Sequence, residues 1–195
     1  MKIAFIQFNG MTMLDLIGFY DTVMRLPRFS TIDVRSDLCA MTEEVSDEYG
    51  LITKTQKVRP DLADYDLVFV PGGFGTRDLR FNLEFITWLR SANTARQKIS
   101  VCTGSLLFGA AGFLSERRAT THPSAYELLA PYCREVVNSR IVPDGDVVTG
   151  GGVSTSIDLG LYVVESLTDS ETARRVQQSM DYPYYRPGWA GEDYV

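Results

Sequence analysis

The residues best suited to chemistry lie around Cys102. Ile99 and Val101 belong to a short β-branched run that ends at Cys102, and an apolar, small-residue stretch through Gly112 follows. Ser100 and Gly104 stand two residues to either side of the sulfur. That small-x-Cys-x-small spacing fits a tight strand-to-helix turn, where little side-chain bulk is tolerated. Such a turn lifts the sulfur out of the sheet and sets it at a helix N-terminus. There, aligned peptide dipoles and free amides favour thiolate over thiol. The alternative is a buried structural cysteine, since free Cys is among the most buried residue types. The spacing favours the reactive role.

Three other features are candidates to join it. Gly72-Gly73 follows an apolar run and permits a backbone turn that residues with side chains adopt with difficulty. Its amides, with that of Thr103, would suit an oxyanion hole, and an ordinary glycine turn is the equal alternative. Asp15 precedes an apolar-periodic segment through Met24, so it is either a helix N-cap or a carboxyl held beside the sulfur. In the second role, burial and a neighbouring negative charge would raise its pKa and let it serve as a general acid. His122, the only histidine, is either the base of a Cys-His pair or, more in keeping with Pro123 after it, a structural hydrogen-bonding group. Gly150-Gly151-Gly152 before a helix resembles an anion cradle but lacks the lysine and spacing of a phosphate loop.

Positioning these groups calls for alternating strands and helices. Residues 2–8 (KIAFIQF) and 66–70 (DLVFV) are nearly continuous apolar runs, as in strands covered on both faces. Short strands are expected at 32–35, 51–53 and 119–121, with 51–53 able to pair with the polar stretch before it. Residues 140–149 read as two strands joined at Asp144-Gly145, a hairpin turn pair. Helices are expected from Asp15 to Met24, over 83–89, behind Cys102, from Pro123 to near Leu129, and over 157–167. A last helix, opened by Thr168 with Glu171 at capping-box spacing, would reach about Met180. The alternation implies a doubly wound, mainly parallel α/β sheet in one domain, 1–195. From 181 to 195 an extended tail is expected, with Tyr182, Tyr184 and Tyr185 either packing on a partner, roofing the pocket or, the favoured reading, anchoring the tail. In such a sheet ligands bind outside the strands' carboxyl ends, where Asp15, Gly72-Gly73, Cys102-Thr103 and His122 all fall.

At 195 residues and 45% hydrophobic, the chain can bury one good core. A net charge of −6 argues against a nucleic-acid partner, and Arg117-Arg118 reads as solvated surface. The N-terminal apolar run ends at Gln7, too short for a membrane span or a signal peptide. Cys39, Cys102 and Cys133 form neither a disulfide framework nor a zinc pattern, and with one histidine no metal is expected. A reducing cytoplasm suits this usage.

Asp66-Leu-Val-Phe-Val-Pro-Gly-Gly73, Val101-Cys-Thr-Gly-Ser105, Arg118-Ala-Thr-Thr-His122 and Thr149-Gly-Gly-Gly-Val153 together resemble the ThiJ/PfpI superfamily, which is related to class I glutamine amidotransferases. Within it the chain looks most like the isocyanide hydratase branch. The resemblance implies a flavodoxin-like α/β sandwich with helices on both faces, a homodimer, a small-molecule substrate and no cofactor. It implies Cys102 as nucleophile, Asp15 as partner acid, Gly73 and Thr103 lining the pocket through their amides, and Val153 as an apolar neighbour of the sulfur. Thr103 stands where protease and amidase members carry His, and Asp15 where redox-protective and glyoxalase-like members carry Glu. The implied reaction is hydration of an organic isocyanide to an N-substituted formamide through a thioimidate. Glyoxalase-like carbonyl chemistry, or a non-catalytic ligand- or oxidation-sensing role, are the alternatives.

Overall fold

The computed structural model describes residues 1–188 of the chain; the end of the expected tail, 189–195, lies outside the described residues. In chain order the elements are β1 (Lys2–Ile6), α1 (Met13–Val23), β2 (Arg35–Ala40), β3 (Glu44–Ser46), β4 (Ile52–Lys54), β5 (Lys57–Val58) and β6 (Leu67–Val70). There follow α2 (Thr76–Leu79), α3 (Leu83–Arg90), β7 (Gln97–Val101), α4 (Gly104–Ala111), β8 (Arg118–Ala119), α5 (Tyr126–Leu129) and β9 (Glu135–Val136). The chain closes with β10 (Ile141–Asp144), β11 (Val147–Gly150), α6 (Thr155–Leu167) and α7 (Ser170–Ser179).

Seven strands form one sheet in the order β10-β11-β7-β6-β1-β2-β5. All pairs are parallel except the β10–β11 hairpin at the edge. Helices flank the sheet, giving a flavodoxin-like α/β fold. The two central strands show why: Ile3 to Ile6 and Leu67 to Val70 are almost wholly buried, as strands covered on both faces must be. One helical layer joins α1, α6 and α7; the other groups α2 to α5 around α4.

The seating of α1 matters most for the site. Phe19 lies flat on Phe69 of β6, with ring centroids 4.0 Å apart. On its other side α1 meets α6 at Gly160, where a β-carbon would come within 2.6 Å of the Thr22 β-carbon. These contacts fix the helix over the sheet with its N-terminal turn at the strands' carboxyl edge.

Several boundaries differ from the sequence expectation. The strand expected at 32–35 begins at Arg35 and runs to Ala40 instead. Its register against β1 pairs Lys2 with Arg35 and Ile6 with Cys39, and the polar Ser36 and Asp37 near the sheet edge hid it. The strand at 119–121 is the two-residue β8, paired with β9 rather than with the main sheet. Residues 123–125 form a 3₁₀ turn before the short α5. At the last helix Asp169, not Thr168, is the N-cap: its side chain accepts from the Thr172 amide at 2.7 Å. Of the tail tyrosines, Tyr185 is buried with its hydroxyl donating to Glu165, whereas Tyr184 is 70% exposed. Arg117 is not merely solvated: it donates to the Asp144 carbonyl and to Asp146, which also pairs with the buried Lys98 at 2.6 Å.

Removing the Phe19 ring leaves a cavity under the helix that carries Asp15. Phe19→Ala should lower unfolding free energy by about 4 kcal/mol in urea titrations. If residues 1–188 fold as one unit, the loss appears as a shift of a single transition.

Candidate active site

β7 delivers Cys102 to the sheet's carboxyl edge and α4 starts two residues later. Between them Cys102 takes φ = +53°, a left-handed conformation uncommon for a residue with a side chain. The turn is held by four bonds. The Cys102 amide donates to the carbonyls of Gly150 (3.0 Å) and Gly151 (2.7 Å). The Cys102 carbonyl accepts from Thr121 Oγ1 (2.9 Å) and Ser105 Oγ (3.2 Å). The glycine run at the end of β11 therefore presents carbonyls to the cysteine backbone rather than an amide cradle to an anion.

Asp15 is the third residue of α1, and Thr12 occupies the N-cap position, so the capping alternative is excluded. Although Leu14 and Ile17 on either side of it are about half exposed, Asp15 itself has no exposed surface. Its Oδ2 accepts from the Gly72 amide at 2.8 Å. Its Oδ1 is buried with no N–H or O–H partner, and the carboxyl interacts with the Cys102 sulfur. The crowding at Gly72 measures how closely the groups meet. A β-carbon there would lie 2.6 Å from the Thr103 nitrogen, 2.7 Å from the Cys102 β-carbon and 2.9 Å from Asp15 Oδ2. Only glycine fits.

Gly73 has φ = +130°, and a β-carbon on it would strike the Gly10 carbonyl oxygen at 2.3 Å. Its amide donates to Thr103 Oγ1, and that hydroxyl donates to the Gly73 carbonyl, both at 3.0 Å. In this state the Gly72 and Gly73 amides are thus engaged by side chains. The Thr103 amide is the one that faces the sulfur.

Burial dominates the electrostatics. It raises Asp15 to about 7, against the pull of the Gly72 amide and the thiol, and Glu48 adds a little negative potential. Burial and then the Asp15 charge push Cys102 up to about 12, although the Thr103 amide draws it back. The expectation that a helix terminus alone would ionise this sulfur is therefore corrected. Desolvation and the Asp15 charge outweigh the hydrogen bonding from Thr103 at the start of the helix, and the stable arrangement above pH 7 is a thiol beside a carboxylate.

A cleft of about 140 Å³ opens on the sulfur. Cys102, Gly73, Thr103, His122 and Val153 line it, together with Thr12, Glu48, Phe74, Arg77 and Ser124. The sequence-expected residues therefore converge. His122 reaches the cleft wall, but its Nδ1 accepts from the Ser124 amide at 3.2 Å and lies 2.8 Å from Ser124 Oγ, capping the 3₁₀ turn. Glu48, Phe74 and Arg77 escaped sequence reasoning. Phe74 is 70% exposed with Arg77 over its ring, and the one available signal was an aromatic residue directly after the glycine pair. Among the described residues no group of three or more His, Cys, Asp or Glu side chains is placed to hold a metal ion. No helix among them is long and apolar enough to cross a membrane.

A mainly parallel sheet with a cysteine at a strand-to-helix turn and an acid from the first helix describes a known class, and the chain belongs to the DJ-1/PfpI family, whose pattern matches residues 1–166. Among relatives, it is 37% identical over 183 residues to the isonitrile hydratase of Pseudomonas putida, covering 93% of this chain and 78% of that one. A ThiJ/PfpI family protein from Pseudomonas syringae superposes with a TM-score of 0.86 at 30% identity, covering 98% of this chain and 78% of that chain. Oxidized DJ-1 of Toxoplasma gondii shares the fold, with a TM-score of 0.76 at 20% identity over 94% of this chain and 99% of that one.

Because the folded-state pKa of Asp15 is raised, its contribution to stability is complete below its ordinary pKa and is lost as pH rises through about 7. Asp15→Asn should therefore raise the thermal midpoint relative to the parent at pH 8, with the gain shrinking as pH falls towards 4. Removing the charge also lowers the thiol pKa, so Cys102 alkylation by iodoacetamide at pH 8 should be faster in Asp15→Asn.

Proposed function

We propose that the protein is an isocyanide hydratase with Cys102 as nucleophile and Asp15 as the proton carrier. The observation that carries this is the buried Asp15 carboxyl facing the Cys102 thiol, with one oxygen fixed by the Gly72 amide and the other free. The similarity to a Pseudomonas isonitrile hydratase along nearly the whole chain supports it, isonitrile being another word for isocyanide.

An isocyanide R–N≡C offers an unhindered terminal carbon that accepts a nucleophile and must then take a proton at the same atom. A thiol with a carboxylate at its side meets both needs. Asp15 takes the Cys102 proton as sulfur bonds to the carbon, then passes that proton to the carbon, where negative charge develops. The product of this half is the thioimidate R–N=CH–S–Cys102. Asp15, again a carboxylate, draws a proton from water as its oxygen adds to the same carbon. Asp15 passes that proton to nitrogen, and as the C–S bond breaks the proton of the added hydroxyl moves through Asp15 to the departing sulfur, releasing R–NH–CHO and the thiol. Nothing is oxidised or reduced, and water supplies every added atom. The Thr103 amide holds the sulfur, and the Gly72 amide aims the carboxyl. Val153 and Phe74 give the R group an apolar wall.

The family's other chemistry, attack of the thiol on a dialdehyde, would use the same sulfur. Formamide production from an aryl isocyanide, followed by chromatography, tests the proposal. Absence of product from protein whose thiol is verified as reduced, or lactate from methylglyoxal in its place, would refute it. Cys102→Ala should abolish turnover. Asp15→Asn should reduce it by about 10²-fold or more while alkylation of the thiol quickens, a split that a merely structural aspartate would not produce. His122→Asn should stay within about threefold of the parent, as expected of a cap outside the proton path.

The pH profile follows from the same pair. Below pH 7 both groups are protonated and no base faces the thiol; above it Asp15 is ionised while the thiol keeps its proton. Turnover per unit isocyanide should rise through an apparent pKa near 7 and stay level to pH 9. A profile flat from pH 5 would contradict the role given to Asp15.

We also propose a homodimer, with the exposed Leu14 and Ile17 on the outer face of α1 covered by the second copy. Light scattering of the eluting protein should give twice the chain mass, and Leu14→Glu should return it to one.

A further inference from the structure

The second half of the hydratase cycle consumes a water molecule, and Asp15 cannot hold one in advance. Its side chain has no exposed surface and does not line the cleft. A water that attacks through oxygen needs acceptors for its hydrogens, so that a lone pair is left facing the carbon. The cleft wall has few to give. The Thr103 hydroxyl is exchanged with the Gly73 backbone, His122 Nδ1 is taken up by Ser124, and Arg77 carries donors only.

Glu48 is the carboxyl that has surface in the cleft. Its amide donates to the Met11 carbonyl at 3.0 Å, and its Oε1 accepts from the Thr12 hydroxyl at 3.1 Å. Thr12 is the N-cap of α1, and its own amide donates to the Gly72 carbonyl at 2.8 Å. Glu48 is thus tied to the helix that carries Asp15 and to the glycine whose amide holds the Asp15 carboxyl. Asp47 braces the turn from the other side, its Oδ1 accepting from the Tyr49 and Leu51 amides, both at 2.8 Å. The remaining oxygen of Glu48, Oε2, has no hydrogen-bond partner among the described residues.

We propose that Glu48 holds the water that hydrolyses the thioimidate, its Oε2 accepting one hydrogen while the other is turned towards Asp15. The inference rests on the hydratase reading. As the water oxygen bonds to the thioimidate carbon, the hydrogen on the Asp15 side leaves as a proton to that carboxylate. The hydrogen held by Glu48 stays on the oxygen. Glu48 gains and loses no proton, and its part ends once the C–O bond has formed. Attack of sulfur on the isocyanide uses no water, so the first half does not call on Glu48.

The two halves are separable in single turnovers of the full chain with an aryl isocyanide, quenched in acid at intervals. Loss of isocyanide reports the first half, and survival of the Cys102 adduct, read by intact-protein mass spectrometry, reports the second. In Glu48→Leu, which removes the acceptor, isocyanide loss should stay within about threefold of the parent, while adduct decay slows about tenfold or more. Glu48→Gln keeps an acceptor oxygen and should decay at an intermediate rate. Equal slowing of both halves in the two variants, as from a structural glutamate, overturns the inference. So does adduct decay at the parent rate in Glu48→Leu. A parent that gives neither adduct nor formamide refutes the hydratase reading itself, and the role of Glu48 falls with it.

Discussion

An aspartate sealed from water without a cation beside it is an expensive arrangement, and the site depends on it. The contrast within the molecule is direct. Asp158 and Asp15 both have no exposed surface, but Asp158 is met by the guanidinium of Arg140 at 2.6 Å. Asp15 has only the Gly72 amide and a thiol. In the first, the Arg140 charge offsets part of the desolvation, although burial still raises Asp158. The second is left to resolve its desolvation by holding a proton, which raises it to about 7, where it can both give and take.

The backbone makes that arrangement possible. A side chain at residue 72 would overlap the Asp15, Cys102 and Thr103 atoms that converge there, and residue 73 turns the chain through a conformation closed to most residues. Cys102 itself is held in a left-handed conformation by bonds to both of its backbone groups, from Gly150, Gly151, Thr121 and Ser105. Three stretches of chain therefore fix one sulfur, and the Phe19–Phe69 stack fixes the helix that faces it. Strain held by a surrounding network of this kind is how folds keep reactive geometry in place.

Much of this was legible in the residues. The apolar runs at 2–8 and 66–70 announced central strands because both faces are covered, and Asp144-Gly145 announced the hairpin because few dipeptides suit that turn. The shared edge of Asp15, Gly72-Gly73, Cys102 and His122 followed from topology. What could not be read was set by packing between distant segments. The Arg35–Ala40 strand mixes polar and apolar residues because it lies towards the sheet edge, so its period carries no clear signal. The position before a helix suggested an ionised sulfur, yet burial and the Asp15 charge push the thiol up, and depth of burial is not a local property. Glu48 reaches the cleft from the turn between β3 and β4, and no spacing in the sequence connects it to Cys102.

The Asp15–Cys102 pair passes from two protons to one near neutral pH, the proton lost being that of Asp15. Titrating the Asp15 carboxyl carbon by ¹³C NMR in the reduced protein tests it most directly. The account requires a midpoint near 7, and a midpoint near the ordinary aspartate value of about 4 would contradict it.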